Sequence, residues 1–496
     1  MSTVAGLLRW RARRHPDLPA VTYEGRRTSY AALDRWSSRL AAGLVERLGV
    51  RPGDRVAILD KNSDRYLALI FAIAKAGAVM VPVNWRLRAP EVAQIVGDAG
   101  PTALVVGDEF AESASAATCR VLGFDELPEE ELDPRGELED AVTWQLYTSG
   151  TTGLPKGARL TARNLFAMVL SLGLEMPEIV EGSASLILSP LYHIGGSGWA
   201  LVALAHGATC VVVRDVVPER LAGTLVAERV ATGLIVPAVL QALTNLDGIA
   251  NREFGSLRNI AYGASPISPT LLERVIEVFR TRVTQLYGLT ETTGAVTALR
   301  HEDHMGDRLL SCGRAMLGGE VRVVGSDDRP LPAGEGGGEI VYRGGSLMEG
   351  YWNRPEDTAT AVRGGWFHTG DAGTLDADGF LLIRDRIKDV IVSGGENVYP
   401  AELEAVLSAH PGVLDVAVIG VPDERWGETV KAIVVRRPDA GLDESELIEW
   451  CRPRLAGYKR PRSVDFVETI PRNPSGKILK QELREHYWAG EGRRVR

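Results

Sequence analysis

An α/β protein, with a large N-terminal body and a smaller α+β piece after it, is what the sequence predicts. Three observations carry this. Strand-like and helix-like segments alternate from Ser29 to Pro237. Short strands separated by Gly, Pro and Asp clusters follow from about Val321, as in an appended antiparallel barrel or sheet. Strands and helices mix again after Arg386, in a unit of about 110 residues. At 496 residues with 45% apolar and 24% charged side chains, the chain has the composition of folded protein in two or more domains.

The elements can be justified in order. Leu33, Trp36, Leu40, Leu44 and Leu48 recur every three or four residues, which predicts an amphipathic helix begun by Ser29 and ended at Gly49. Arg51-Pro-Gly-Asp54 turns the chain into a strand at Val56 to Leu59, a helix at Asp64 to Lys75 and a strand at Ala78 to Val83. The rhythm returns at Ala103 to Val106, Cys210 to Val213 and Leu234 to Pro237, and apolar runs of this kind suit buried, largely parallel strands. Val321 to Val324, Glu339 to Tyr342 and Phe380 to Ile383 make the barrel-like part. Beyond it, Pro400 opens a helix to Ser408, strands follow at Asp415 to Val421 and Lys431 to Val435, and a helix lies near Glu444 to Leu455.

Charge and targeting signals narrow the function. A net charge of -9 argues against a nucleic-acid-coating protein. Arg9, Arg11, Arg13 and Arg14 lie in an N-terminal stretch without a long apolar core, read as a surface helix and not a signal peptide. Ser183 to Val213 carries no charge, but Pro190, His193 and several glycines break it, so no transmembrane segment is expected. Four scattered cysteines, without metal spacing, fit a reduced cytoplasmic setting. His301 and His304 form an HxxH pair that no neighbouring ligand completes, which favours a solvated loop.

The most informative segment is Tyr147-Thr-Ser-Gly-Thr-Thr-Gly-Leu-Pro-Lys-Gly157. Glycines, four hydroxyls and Lys156 in one loop supply N-H donors and positive charge suited to polyphosphate, although the Walker spacing fails at Pro155. Here, and at Tyr287-Gly-Leu-Thr-Glu291, Gly365-Trp-Phe-His-Thr-Gly-Asp371, Arg386-Ile-Lys-Asp389 with Ser393-Gly-Gly-Glu-Asn397, and Pro471-Arg-Asn-Pro-Ser-Gly-Lys477, the sequence resembles the adenylate-forming superfamily. That superfamily comprises acyl-CoA synthetases, luciferases and peptide-synthetase adenylation domains, and the likeness is strongest to fatty-acyl and aryl-CoA ligases.

The resemblance implies an ATP-dependent reaction in which a carboxylate attacks the α-phosphate, and the resulting acyl adenylate then meets the thiol of coenzyme A. Both first reactants are anions, so cation and N-H donors must offset their repulsion. By the resemblance, Thr148, Ser149, Gly150, Thr151, Thr152, Gly153 and Lys156 embrace the departing phosphates, and Glu291 holds Mg²⁺ beside Thr290. Gly263, Ala264, Ser265, Tyr287 and Gly288 correspond to the adenine site, Asp371 and Arg386 to the ribose contacts, and Ile383 to a nucleoside-packing position. Lys477 matches the lysine that bridges carboxylate and α-phosphate oxygens. Lys388 takes the hinge position between a domain of residues 1–387 and a mobile one of residues 388–496, and Ser393, Gly394 and Gly395 match the loop beside the pantetheine thiol.

The acyl pocket is expected from Tyr192, His193, Gly195, Gly196, Val236, Ala238 and Gly263. His193 stands where amino-acid-activating relatives commonly carry an Asp; a neutral imidazole cannot pair with an ammonium, so an α-amino acid is not the expected substrate. By the resemblance, His193 lies between the acyl pocket and the thiol tunnel, which suits a gate. The expectation is an ATP- and Mg²⁺-dependent carboxylate:CoA ligase acting on a fatty or aryl acid. Loading of a separate carrier protein and luciferase-like oxygenation stay open as alternatives, as does a homodimer. With 19 residues after Lys477, no fused carrier domain is expected.

Overall fold

The helix expected after Ser29 runs over Tyr30–Glu46, and the Ser29 hydroxyl caps it by accepting from Ala32 N at 3.3 Å. The helix Asp64–Lys75 is capped in the same way by Ser63. These details come from a computed structural model that describes residues 3–130, 141–148, 155–334, 337–393, 396–438, 440–472 and 478–488. The N-terminal arginines lie on helix Val4–Arg14, whose other face buries Val4, Ala5, Leu7, Leu8 and Ala12. Among the described residues no helix is long and apolar enough to cross a membrane. Ser183 to Val213 instead forms strand Ala184–Ile187, helix Ile194–Ala205 and strand Thr209–Val212.

The chain divides into one unit of residues 1–321 and 342–367 and a second of residues 322–341 and 368–496. The first holds two sheets. In the nine-stranded one, Pro19–Tyr23, Thr209–Val212, Ala184–Ile187, Val230–Leu234, Asn259–Gly263 and Arg282–Leu289 are neighbours in that order and all parallel. Antiparallel strands close its edges. The seven-stranded sheet has the parallel core Val142–Thr148, Val79–Pro82, Arg55–Leu59, Ala103–Val106 and Arg120–Gly123, with Lys156–Thr161 antiparallel to Val142–Thr148. Leu8, Leu33, Tyr66, Phe71 and Trp144 fill one core of this unit, and Ile260, Tyr262, Phe279 and Val283 fill another.

In the second unit Val413–Asp423 and Gly427–Arg436 form a long antiparallel pair, with Ser463–Phe466 parallel to the latter. Helix Pro400–Ser408 adds Leu403 and Leu407 to its core. The same unit buries a group of charges: Arg484 meets Asp389 at 2.6 Å and Lys480 meets Glu404 at 2.8 Å. Burial opposes ionisation of Asp389, yet the Arg484 guanidinium, with Lys480 and Lys388, holds this carboxyl below its ordinary range. Arg484→Met leaves that carboxylate buried without its nearest cation. The expected cost is about 3 kcal/mol, measured by denaturant unfolding of the full chain.

The boundary between the two units falls at 367/368, upstream of the expected hinge at Lys388. That boundary follows packing, whereas a hinge is a property of motion. Lys388 is exposed on the turn Ile387–Asp389, and its carbonyl accepts from Arg484 Nη1 at 3.5 Å.

Candidate active site

Parallel strands present their C-terminal ends along one sheet edge, the usual place for a ligand crevice in α/β folds. Four neighbouring strands of the nine-stranded sheet carry expected site residues there. Tyr192, His193, Gly195 and Gly196 follow Ala184–Ile187, and Val236 and Ala238 follow Val230–Leu234. Gly263, Ala264 and Ser265 end or follow Asn259–Gly263, while Tyr287, Gly288, Thr290 and Glu291 end or follow Arg282–Leu289. Thr148 ends its strand in the other sheet, and the hairpin register sets it opposite Lys156.

Local backbone fixes these positions. A Cβ on Gly288 would lie 1.9 Å from Gly294 O, and one on Gly263 would lie 2.2 Å from Leu286 O, so neither position admits a side chain. Ala264 follows with φ 64°, a left-handed conformation that costs a non-glycine residue about 1 kcal/mol or more. The exposed Ala264 and Ser265 are thus turned sharply out of the sheet.

Glu291 is the centre of the arrangement. It is 8% exposed, on the short turn Thr290–Thr292, and its carbonyl accepts from Met348 N at 2.8 Å. Thr148 Oγ1 donates to Glu291 Oε1 at 3.2 Å and Tyr351 Oη donates to the same oxygen at 2.9 Å. Burial, reinforced by this carboxylate, pushes the Tyr351 phenol far up, so it stays a neutral donor. Neither hydrogen bond uses Oε2. Among the described residues one oxygen is held and the other accepts no hydrogen bond, which fits a hard divalent cation that takes oxygen ligands. Lys156 Nζ meets Asp357 Oδ1 at 2.5 Å and lies 5.5 Å from the Tyr351 ring centre.

Tyr351 and Asp357 were not among the expected site residues. Glu349-Gly-Tyr-Trp352 and Arg354-Pro-Glu-Asp357 offer an aromatic pair and a helix start, but nothing in that pattern points to Glu291, sixty positions earlier. Their support is firm. Tyr351 pairs with Ala158 across strands, Trp352 N donates to Gly157 O at 2.8 Å, and Trp352 Nε1 donates to Asp98 O at 3.0 Å. Asp98 also takes Arg354 at 2.7 Å and the Tyr147 hydroxyl at 2.6 Å.

The acyl-pocket candidates include two buried polar atoms that have no hydrogen-bond partner among the described residues, Tyr192 Oη and His193 Nε2. Gly196 is buried and Gly195 half-buried, Ala238 is exposed, and a Cβ on Gly195 would lie 3.5 Å from Leu234. Burial, aided by Arg86, pulls the His193 imidazole down to about 4. It is neutral at physiological pH. As pH falls through 6.5 the unfolded chain takes up a proton that folded His193 refuses, so stability drops from there to about pH 4, by about 3 kcal/mol from this ring. His301 and His304 shift the same way. The expected result is therefore a difference: a His193→Phe variant loses less melting temperature than the wild type between pH 6.5 and 4.5, measured by differential scanning fluorimetry.

The second unit brings two further candidates together. Asp371 and Arg386 are Cα partners on adjacent strands, and Arg386 Nε reaches Asp371 Oδ1 at 2.7 Å. Ile383 faces Gly373 in the same ladder. Ser393 is buried at the end of strand Ile391–Ser393. Ser149 to Gly153, Gly394, Gly395 and Lys477 lie outside the described residues. The HxxH residues prove to be structural: His304 bonds to Tyr262 Oη and Arg300 O, and His301 Nδ1 accepts from Val283 N. Among the described residues no group of three His, Cys, Asp or Glu side chains is placed to hold a metal.

Comparison with known proteins matches this frame. Residues 8–352 fit the family model described as AMP-binding enzyme, and residues 402–477 fit the AMP-binding enzyme C-terminal domain. The chain is 40% identical over 512 residues to a fatty acid–[acyl-carrier-protein] ligase of Streptomyces coeruleorubidus, covering 100% of this chain and 98% of that one. It is 41% identical to a feruloyl-CoA synthase of Amycolatopsis sp, covering 97% and 99%. Its fold superposes on O-succinylbenzoate coenzyme A synthetase from Bacillus subtilis, in complex with ATP and magnesium ion, with TM-score 0.89 at 32% identity, covering 96% and 98%. With both family regions in order along the chain and relatives matched over nearly their whole length, the protein belongs to the AMP-binding, adenylate-forming enzyme family.

Proposed function

We propose that this chain is an ATP- and Mg²⁺-dependent carboxylate:CoA ligase that converts a fatty or aryl acid to its acyl adenylate and then to the thioester. The observation that carries the reading is the Glu291 carboxylate, braced through one oxygen by Thr148 and Tyr351, with Lys156 beside the same tyrosine ring. Glu291 would hold the metal, which when bound offsets charge on the phosphate oxygens. Lys156 and the Thr148 loop bind the departing phosphates, Asp371 and Arg386 orient the ribose, and Lys477 offsets charge where the carboxylate attacks. Neutral His193 lets an uncharged acyl group lie beside it. Lys388 serves as the hinge that brings Ser393 and the glycines after it toward the thiol.

Loading of a separate carrier protein is the second reading, favoured by the 40% identical carrier-protein ligase. Among the described residues no disulfide joins two cysteines, in keeping with a reducing setting. A pyrophosphate-release screen over short to long fatty acids and substituted benzoates and cinnamates, without acceptor, with coenzyme A and with a holo carrier protein, tests activation and acceptor together. No pyrophosphate with any acid overturns the reading; release without thioester to coenzyme A turns it toward the carrier.

A further inference from the structure

The ion pair between Lys156 and Asp357 is not required by the fold around it. The segment bearing Asp357 is already fastened: Tyr351 N donates to Thr358 Oγ1 at 2.9 Å, Thr358 Oγ1 donates to Arg354 O at 2.8 Å, and Arg354 is anchored on Asp98. Strand pairing at Gly350 and Tyr351 holds the same segment to Arg159 and Ala158. Helix Pro355–Ala361 therefore delivers a carboxylate to a fixed place, within 2.5 Å of the Lys156 ammonium. The pair is partly withdrawn from water, with side-chain exposures of 13% for Lys156 and 33% for Asp357, so solvent screens it less than a surface pair.

We infer that Asp357 is an internal competitor for Lys156, occupying the ammonium that binds the departing phosphates and so weakening the grip on both ATP and pyrophosphate. This rests on the assignment of Lys156 under the proposed function. An ammonium whose charge is partly spent on a carboxylate has less left for a polyanion. The consequence is uniform: it acts on bound ATP and on released pyrophosphate alike, which raises KM for ATP while speeding product departure. Asp357 is thus a positioning residue that acts through Lys156 and touches no reacting atom.

The test measures KM for ATP and inhibition by inorganic pyrophosphate in the acid-activation assay. Asp357→Asn is expected to lower KM for ATP and the pyrophosphate inhibition constant together, by about three- to tenfold, the range of a partly screened charge pair. Asp357→Glu keeps the charge and is expected to stay near wild type, which separates competition from a packing defect. In a Lys156→Met background Asp357→Asn is expected to change neither constant. Unchanged or raised constants for Asp357→Asn overturn the inference, as does the same decrease in the Lys156→Met background. If Lys156→Met alone leaves KM for ATP unaltered, the phosphate assignment of Lys156 falls and the inference with it, whereas inactivity of the wild type toward every acid counts against the proposed function itself.

Discussion

Lys477→Ala is expected to slow acyl-adenylate formation by about 10²- to 10³-fold while a preformed acyl adenylate still reacts with coenzyme A near the wild-type rate. In the proposed first half-reaction two anions must approach, and a lysine at their meeting point would offset their repulsion. The second half-reaction brings a thiol to a mixed anhydride that is already activated, and that lysine has no equal task in it. The chain is built to hold both ends of the segment that carries Lys477. Arg472 and Ile478 form an antiparallel bridge, and Leu479 N donates to Pro471 O at 2.9 Å. Directly after it, helix Lys480–Glu485 is anchored by Lys480 on Glu404 and Arg484 on Asp389, all in one unit. Pyrophosphate exchange reports the first step, and thioester formation from added acyl adenylate reports the second. Equal loss in both steps removes the special role of Lys477 in adenylation.

Much of the fold was legible because local rules and tertiary packing agree. Ser29 and Ser63 supply caps, the Asp64–Lys75 helix begins and ends where its apolar pattern does, and the strands at 56–59 and 103–106 fall where continuous apolar runs predict buried parallel pairing. Strand edges were less legible. The segment expected at Leu234 to Pro237 belongs to a strand that ends at Leu234, because Val236 already caps the next helix. The long pair Val413–Asp423 and Gly427–Arg436 exceeds its expected span, since cross-strand pairing, not apolar content, sets its ends. For the candidate site, motif order pointed to Thr148, Lys156 and Glu291, but not to the groups that hold them. Tyr351 and Asp357 act through contacts 60 and 201 residues away in sequence, and neither residue type is unusual in a loop. Lys459, in the basic stretch near the C-terminal end, reaches both Glu402 oxygens at 2.7 and 2.8 Å. Charge counts along a sequence do not show which cations are already paired.

Glu291→Gln separates charge from shape at the centre of the site. The amide keeps the size of the carboxylate, and its oxygen can still accept from Thr148 and Tyr351, so the turn Thr290–Thr292 and its tie to Met348 have no reason to move. What disappears is the negative charge. If Glu291 binds the metal, acid activation is expected to fall by about 10²- to 10³-fold, with the Mg²⁺ concentration for half-maximal rate rising at least tenfold. Tyr351→Phe and Thr148→Val each remove one hydrogen bond to a charged oxygen and are expected to cost about tenfold, since each such bond contributes about 1.5 kcal/mol and the charge stays. The ordering is the test. A Glu291→Gln enzyme with wild-type Mg²⁺ dependence, or one no worse than Tyr351→Phe, would mean that the buried carboxylate only fastens two segments together and that the cation is held elsewhere.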